Sequence, residues 1–447
     1  MFKIVSEIVN VKWSDSKQSL IHEKIIELKN QDIFFDYCLQ YKVAPWVCIQ
    51  LKRYKLFKLL KEEIQEKFFA EFQRVKIQNE NRNKKAIEFL KIFKEEKIDV
   101  IILKGNYFVT SVYKDVGYKR MNDFDILVHK KDWDRIQDVY LKLGYIPLGF
   151  GWSGEKEQPA DYSHVGMAFI SNDFSCIIGT QWGLKSPTTP YQVPIDEIWD
   201  SAKNFSFEGL DVKAMSTEFN LLHLILHLGI YKCGVRDLMD LFNLVQTEKV
   251  DESLMLDIIK RSNAMDKAKF ALTLSNKCQN IFSLNFFQEL NVTSNSFINR
   301  RLSKRLKMIE ESNDIHYSYN DYFQDIEKVV VYFNLFPLFH KKIKYYLIIL
   351  KMIFFPTMDT CLKLNDEFVS PSFSSKLISR LKAPYFSFAL IAQEIGWKYT
   401  LFLFLKLFLD LIFSMKNYFI KKESYSDYLE TRNISLQKIE DAVKNIQ

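Results

Sequence analysis

The sequence predicts an α+β fold in which helices predominate and a small β-sheet lies in the first half of the chain. Glycine and proline supply only 13 and 10 of the 447 residues, so few positions suit the tight turns that an all-β protein requires. Residues 99–143 alternate short β-branched runs with amphipathic stretches, which is the pattern of an α/β unit. A β-sandwich, a propeller and a collagen-like chain are therefore excluded.

Net charge and cysteine usage indicate the kind of binding partner and the cellular compartment. The 62 Lys and Arg against 55 Asp and Glu give a net charge of +7, which suits a polyphosphate, but no lysine-arginine block marks a nucleic-acid-binding protein. The six cysteines are scattered without a CxxC or metal-ligand spacing, so we expect reduced thiols in an intracellular protein. The first residues lack the apolar stretch and cleavage site of a signal peptide, which predicts a cytoplasmic location.

Hydrophobic periodicity divides the chain into four predicted regions. These are an N-terminal helical region at 1–96, an α/β core at 97–200, a helical domain at 201–327 and an apolar helical region at 328–447. The elements predicted within the core are strand Asp99–Leu103, a helix near Tyr107–Tyr113, a strand in MNDFDILV, a helix over 131–143 capped by Gly144, and a hairpin of Val165–Ile170 and Phe174–Trp182.

Two carboxylates stand two residues apart in the strand MNDFDILV. Residues i and i+2 of a strand point to the same face, so Asp123 and Asp125 converge while Phe124 faces the core. Adjacent carboxylates repel each other unless a hard cation such as Mg²⁺ or Mn²⁺ lies between them. The spacing predicts a divalent-metal site at Asp123 and Asp125.

A phosphate-binding turn is predicted about one strand and helix upstream of these carboxylates. Lys104 and Gly105 follow an apolar strand and begin a helix, whose N-terminal N–H groups suit phosphate. Lys119 and Arg120 precede the acidic strand and are placed to reach the same triphosphate. The alternative role for Lys104 is an ion pair with Asp123.

The residues around these positions resemble a known family. VIILKG, VYKDVGYKRMNDFDILV and YLKLGY are similar to motifs of the uncharacterised nucleotidyltransferase family of the polymerase-β superfamily, and weaker similarity extends through IIGTQWGL, LLHLILHLGIYKCGVRDLMDL, IFFPT and KLISRL, over most of residues 30–385. The resemblance implies a small mixed sheet, a nucleotidyltransferase-like core, flanked by N-terminal and C-terminal helical regions. It also implies Mg²⁺-dependent transfer of a nucleoside monophosphate from NTP to an unidentified small-molecule, peptide or protein acceptor.

The resemblance also implies roles for individual residues. Asp123 and Asp125 would be the catalytic metal ligands, and Lys104, Gly105 and Arg120 would position the triphosphate.

One position departs from the pattern of the superfamily, whose members usually have a third carboxylate on a neighbouring strand. Here that position is Gly179, and Gln181 replaces the family's histidine. An impaired enzyme that binds nucleotide or a partner protein is therefore the alternative function. Asp173 and Asp161 are the nearest substitute carboxylates in sequence.

Several other polar residues have open interpretations. His164 and Gln181 are candidates for the wall of the substrate pocket. His223 and His227 are spaced like zinc ligands, but without a third ligand in view we favour helix packing. Arg236, Asp237 and Asp240 are predicted to form helix salt bridges, with substrate contact as the alternative. A basic set is predicted to be a solvated helix face, with tRNA or RNA contact as the alternative: Lys52, Arg53, Lys55, Lys58 and Lys61.

The last third of the chain contains long apolar runs within 328–355 and 385–419. Lys406 and Asp410 interrupt the second run and are spaced to pair on one helix face. A buried helix or subunit interface is favoured, and a peripheral membrane contact and a true membrane span remain alternatives. The runs also raise a third function, a structural or membrane-associated module with a membrane or protein partner at 385–419.

Overall fold

The computed structural model confirms a predominantly helical α+β protein with a small mixed sheet. It describes residues 1–148, 156–157, 163–185, 187, 189, 191–228, 234–278, 283–290, 302–303, 306–307, 310–311, 339–365, 372–395, 397–420 and 425–446. Within these residues there are 19 α-helices and seven strands.

The first thirteen helices are α1 Phe2–Ile8, α2 Asp15–Ile26, α3 Gln31–Gln40, α4 Ala44–Arg53, α5 Glu62–Glu95, α6 Lys104–Tyr107, α7 Trp133–Lys142, α8 Ile195–Asp200, α9 Thr217–His227, α10 Val235–Thr247, α11 Glu252–Arg261, α12 Met265–Cys278 and α13 Leu284–Leu290. The remaining six are α14 Phe339–Phe354, α15 Met358–Leu364, α16 Phe373–Ile395, α17 Trp397–Ile420, α18 Tyr425–Glu430 and α19 Leu436–Ile446. Side-chain caps set several of the starts, as where the Asn30 side chain accepts from the N–H groups of Asp32 and Ile33.

The strands are β1 Val100–Ile102, β2 Phe124–Val128, β3 Ile146–Pro147, β4 Phe169–Ile170, β5 Ile177–Gln181, β6 Lys203–Phe207 and β7 Leu210–Ala214. Their hydrogen-bonding order is β3-β4-β5-β2-β1-β7-β6. β1 runs antiparallel to β2, with Ile102 opposite Ile126, and parallel to β7, with Ile101 opposite Lys213. The sheet is therefore mixed.

The chain divides into two compact units. The first comprises Met1–His129, Ser175–Ile178 and Val193–Tyr317, and the second comprises Lys130–Phe174, Gly179–Gln192 and Ser318–Gln447. The four-region division expected from the sequence remains a prediction.

The core of the first unit forms where the long helix α5 packs beside the sheet. Phe124 of β2 meets Phe89 of α5 with ring centroids 5.8 Å apart, and Phe207 of β6 at 5.3 Å. All three rings are fully buried, and each contributes about 1.5–3 kcal/mol of burial free energy. This packing fixes which face of β2 points into the core.

The hairpins show where local sequence was and was not sufficient. The turn predicted after residue 170 is present, because the N–H of Phe174 donates to the carbonyl of Ser171 at 2.9 Å. The flanking strands β4 and β5 are shorter than predicted. The β6–β7 hairpin was not predicted, and its two turn residues, Glu208 and Gly209, have φ of 49° and 81°, as a type I′ turn requires.

The C-terminal helices α14, α16 and α17 pack against one another within the second unit. Phe388 of α16 joins them, with its ring 5.9 Å from Phe354 and 5.2 Å from Phe404. No helix in the described part of the chain has the length and hydropathy needed to cross a bilayer. The Asp410 side chain, and with it the predicted pair with Lys406, lies outside the described residues.

Candidate functional site

The two predicted carboxylates lie at the start of β2. Asp123 immediately precedes the strand and is exposed, whereas Asp125 lies within it and is 4% exposed. Because side chains alternate along a strand, Asp125 points away from the face on which Phe124 packs. The N–H of Leu103 donates to the Asp125 carbonyl at 3.0 Å, so the end of β1 lies beside this carboxylate.

Lys104 forms an ion pair at this site, but not with the residue expected. Its Nζ lies 2.8 Å from Oδ2 of Asp125, so the pairing anticipated with Asp123 is wrong. The reason is the register of β1 and β2, which places the end of β1 next to Asp125. The pair is largely buried, with the lysine and aspartate side chains 24% and 5% exposed.

In the turn from β1 into α6, the strained backbone conformation is at Lys104. This residue has φ of 48°, a left-handed conformation that is unfavourable for a residue with a side chain. Gly105, the next residue, does not have this left-handed conformation. A Cβ on Gly105 would instead lie 3.0 Å from Sδ of Met121, so α6 closely approaches the segment before β2. Helix α6 is one turn long and continues into a π-helical turn, Phe108–Val112.

Helix α5 holds this segment through two buried polar residues. The Asn79 amide donates to the carbonyls of Val116 and Lys119 at 2.6 and 2.8 Å. Arg82 donates through Nη2 to the Met121 carbonyl at 2.7 Å and through Nη1 to Asn79 at 2.6 Å. Residues 116–121 are thus fixed against α5.

Arg82 also contributes charge next to the carboxylates. It is 2% exposed, and burial lowers its pKa, while the nearby Asp123 carboxylate acts in the opposite direction. Its Nε has no hydrogen-bond partner among the described residues. A buried cation with an unused donor, beside an exposed carboxylate, is an arrangement suited to a polar ligand.

Four arginines, Arg74, Arg82, Arg120 and Arg236, form what we call the arginine group. Burial lowers the pKa of Arg120, and the charges of Arg74, Arg236 and Arg82 lower it further. Nη2 of Arg236 donates to the Arg120 carbonyl at 3.0 Å, which places α10 beside this residue. Glu71 opposes the shift at Arg120, but it is also bound by Arg74 through two hydrogen bonds. The arginine group therefore has an excess of positive charge that fits a polyanion.

Unused polar atoms accompany this charge. The Nε of Arg120 and Oδ1 of Asn122 are buried without a hydrogen-bond partner in the described part of the chain. Buried polar atoms normally have partners, so such a concentration beside the acidic residues indicates a position where a ligand binds.

Lys119 has a different environment from Lys104. Its amine is bound by Asp240 of α10, which also accepts a hydrogen bond from the hydroxyl of Tyr113. Burial, reinforced by Asp240, raises the pKa of Tyr113. Asp240 thus forms a structural ion pair with Lys119 of the loop, and the helix salt bridges expected among Arg236, Asp237 and Asp240 stay a prediction. Asp237 caps α10 by accepting from the N–H of Gly234 at 3.0 Å. Triphosphate contact by Lys119 stays a prediction.

The remaining candidates belong to the second unit. The carbonyl of His164 accepts from the N–H of Trp182 at 2.9 Å, and Gln181 ends β5 with 6% of its surface exposed. Gly179 occupies the middle of β5, and the exposed Asp173 accepts from the Ser171 hydroxyl at 2.6 Å. Asp161 lies outside the described residues. Pocket roles for His164 and Gln181 stay predictions.

The side chains at the start of β2 include oxygen donors of the kind that magnesium uses. Among the described residues no three His, Cys, Asp or Glu side chains group closely enough to hold a metal alone. Mg²⁺, however, commonly uses one or two carboxylates together with substrate phosphates. Asp123 and Asp125 are hard ligands of that kind. His223 and His227 lie on α9 with ring centroids 6.4 Å apart, and no third metal-ligating side chain of the described residues is grouped with them.

Comparison with known protein families gives one match. A family model described as an uncharacterised nucleotidyltransferase matches residues 28–280, which is more than half of the chain. The chain belongs to this family. The matched range includes both carboxylates, Lys104 and the whole arginine group. It ends before IFFPT and KLISRL, whose resemblance therefore lies outside it.

Membership of the nucleotidyltransferase family indicates nucleotidyl transfer as the general reaction class. No curated protein and no solved structure matches the chain.

Sequence reasoning missed Arg82 and weighed Arg236 mainly as a structural residue. A signal for Arg82 was present. Val75, Asn79, Arg82 and Ala86 share a face of α5, and polar residues on an otherwise apolar, buried face indicate a specific contact.

Proposed function

We propose that the protein is a cytoplasmic, Mg²⁺-dependent nucleotidyltransferase that moves a nucleoside monophosphate from NTP to a small-molecule, peptide or protein acceptor. Mn²⁺ is an alternative metal. One observation carries the proposal. Two carboxylates at the start of β2 adjoin both a strained lysine and a group of arginines with excess positive charge.

The positive residues account for binding of the triphosphate. The half-buried Arg120 and Arg236 meet the β- and γ-phosphates, and Arg82 holds the segment that carries Arg120. Lys104 shifts from Asp125 to a phosphate oxygen, which releases the carboxylate for a metal. Such an exchange costs little because one charge-assisted hydrogen bond replaces another.

The carboxylates account for the chemistry. Asp123 and Asp125 would hold Mg²⁺, which when bound neutralises charge on the phosphates. A hydroxyl oxygen of the acceptor forms a bond to the α-phosphorus, the bond from that phosphorus to the bridging oxygen breaks, and pyrophosphate leaves. Asp123, the exposed carboxylate, takes the hydroxyl proton on a carboxylate oxygen. Arg120 and Arg236 meet the charge of the departing pyrophosphate.

A second candidate is a nucleotide-binding protein that has lost efficient transfer. The observation favouring it is Gly179 on β5, at the position where the superfamily usually has a third carboxylate. In this alternative, NTP still binds through Lys104 and the arginine group, but transfer is slow because no further group assists proton removal.

Binding of labelled NTP with and without Mg²⁺ tests the site. The double variant Asp123→Asn with Asp125→Asn is expected to lose Mg²⁺-dependent binding. A matched control is Asp99→Asn, because Asp99 is an exposed aspartate that precedes β1 as Asp123 precedes β2. Unchanged Mg²⁺-dependent binding by the double variant contradicts the proposed site.

Release of pyrophosphate separates the two functions. The wild-type protein is incubated with Mg²⁺, a panel of NTPs and cell extract as a source of acceptor, beside Gly179→Asp and Asp173→Asn. Turnover by the wild type that depends on Asp123 and Asp125 supports the enzyme. Binding without turnover, with activity gained in Gly179→Asp, supports the impaired form. Loss of turnover in Asp173→Asn identifies Asp173 as the substitute carboxylate.

A further inference from the structure

An apolar stripe lies on the outer face of α16. Phe373, Leu377, Leu381 and Tyr385 recur every four residues and are 84%, 53%, 73% and 62% exposed. Residues four apart lie on one side of a helix, so these side chains form a continuous surface. Ala383, on the opposite side of the helix, is fully buried. The stripe is therefore additional to the core of the second unit.

Helix α17 repeats the arrangement. Trp397, Leu401 and Leu405 are again four residues apart and are 54%, 66% and 52% exposed, while Leu407 is buried. Exposed apolar residues continue to Ile412. Single exposed leucines are ordinary, but two successive helices with long apolar stripes indicate an interaction surface.

The sequences of the three packed C-terminal helices are rich in basic residues. Together α14, α16 and α17 contain ten Lys or Arg residues and two Asp or Glu residues. Lys376 and Lys382 are exposed next to Leu377 and Leu381, and Lys398 is exposed next to Trp397. Long lysine stems can lie along an apolar surface while the ammonium groups remain in a polar layer.

We propose that this apolar and basic surface binds the face of an anionic phospholipid bilayer. Helices that lie in a membrane interface combine Trp, Phe and Leu on one side with Lys and Arg beside them. Lysines near the bilayer add attraction to negatively charged lipids. A second copy of the chain would bring the same positive charge to the contact and repel it, whereas anionic lipid neutralises it.

Sedimentation of the full-length protein with vesicles tests the surface. Binding is expected to vesicles that contain phosphatidylglycerol and phosphatidylcholine, and not to vesicles of phosphatidylcholine alone. Raising the salt concentration should weaken it, because salt screens the attraction. No binding to the anionic vesicles, or equal binding to both kinds, overturns the proposal.

Substitutions locate the contact. Leu381→Ser and Leu401→Ser should each weaken vesicle binding about tenfold, since each removes apolar surface from the interface. Leu254→Ser is the matched control, because Leu254 is a 44% exposed leucine on α11 of the other unit. All three side chains are exposed, so the variants should fold. Equal binding by the wild type and both stripe variants contradicts the assignment.

Trp397 provides a direct reading of insertion. Vesicles with brominated lipids should quench its fluorescence, so the wild type should lose more emission than Trp397→Phe. Size-exclusion chromatography with light scattering, done without vesicles, tests whether a second copy of the chain binds this surface instead. A stable dimer that the stripe variants dissociate would assign the surface to a second copy and overturn the lipid proposal. NTP binding should be unaffected in every variant.

Discussion

Lys104–Asp125 and Lys119–Asp240 are two buried lysine–aspartate pairs of the same compact unit, yet they differ in access and in backbone strain. Lys119 and Asp240 are 12% and 6% exposed, and Asp240 also accepts from the Tyr113 hydroxyl. Lys104 is 24% exposed and left-handed. The two pairs share their chemistry, so it is the surroundings that suit one pair to structure and the other to exchange with a ligand.

The strain at Lys104 strengthens this contrast. A left-handed backbone at a residue with a side chain costs about 1–3 kcal/mol and persists only where the surrounding structure enforces it. The left-handed conformation places the Lys104 ammonium group against Asp125, a carboxylate that we assign to metal binding. Nothing comparable is needed at Lys119, which has an ordinary backbone and joins its loop to α10.

The largest expected effect tests the structural pair. Asp240→Ala should lower the free energy of unfolding by about 3–5 kcal/mol, because it leaves the Lys119 amine and Tyr113 hydroxyl buried without their acceptor. Asp125→Ala should cost clearly less, since Lys104 can reach solvent. Urea denaturation followed by circular dichroism measures both. Equal losses of stability would remove the distinction between the pairs.

Loss of the functional lysine should affect the ligand more than the fold. Lys104→Ala should weaken NTP binding by about 1–3 kcal/mol, the value of a hydrogen bond to a charged group. Lys97→Ala is a matched control, because Lys97 is exposed and also left-handed, with φ of 57°. Isothermal titration calorimetry gives the affinities. The same affinity in both variants would reject phosphate contact by Lys104.

The arginine group is expected to contribute unequally. Arg236→Gln should reduce NTP affinity by about 1.5 kcal/mol, or roughly tenfold, because its charge adds to that of Arg120. Arg74→Gln should change the affinity much less, since Glu71 already binds Arg74 at 2.5 Å. Affinities of both variants at two salt concentrations provide the measurement. A larger loss in Arg74→Gln would show that the excess charge has been misassigned.

The smallest effect is expected at Gly105. Gly105→Ala brings a methyl group to about 3.0 Å from the Met121 sulfur, but that side chain is flexible and can move. The change in unfolding free energy should stay below about 1 kcal/mol. Thermal denaturation would measure it. A loss of several kcal/mol would mean that the contact between α6 and the segment before β2 is rigid.

The acidic pair and Lys104 were accessible from sequence because their placement depends on local rules. Alternation along a strand orients Asp123 and Asp125, and a strand followed by a helix locates Lys104. The ion-pair partner was not accessible, since it depends on the register between β1 and β2. The helical character of the chain was likewise predicted from its low glycine and proline content.

The arginine group shows the limit of that reasoning. Arg82 bonds a carbonyl 39 residues away, and Arg236 bonds one 116 residues away. The pattern of α5 marks Arg82 as a polar residue on a buried face, but no window of one helix or strand identifies a partner so distant in sequence. The β6–β7 hairpin was missed for another reason, because Glu208 is an unusual residue for a left-handed turn position.

The two hydrogen bonds from Asn79 identify a position where a natural mutation would inactivate the site. Both N–H groups of this one amide are committed, to Val116 and to Lys119. Aspartate has the same shape but no N–H donor, and glutamine is one methylene longer in a fully packed position. A single-base codon change from Asn to Asp would release the segment that orients Arg120 while leaving every catalytic candidate intact. Inactivating alleles are therefore expected at Asn79 on α5 as well as in the strands and turns that carry the carboxylates and Lys104.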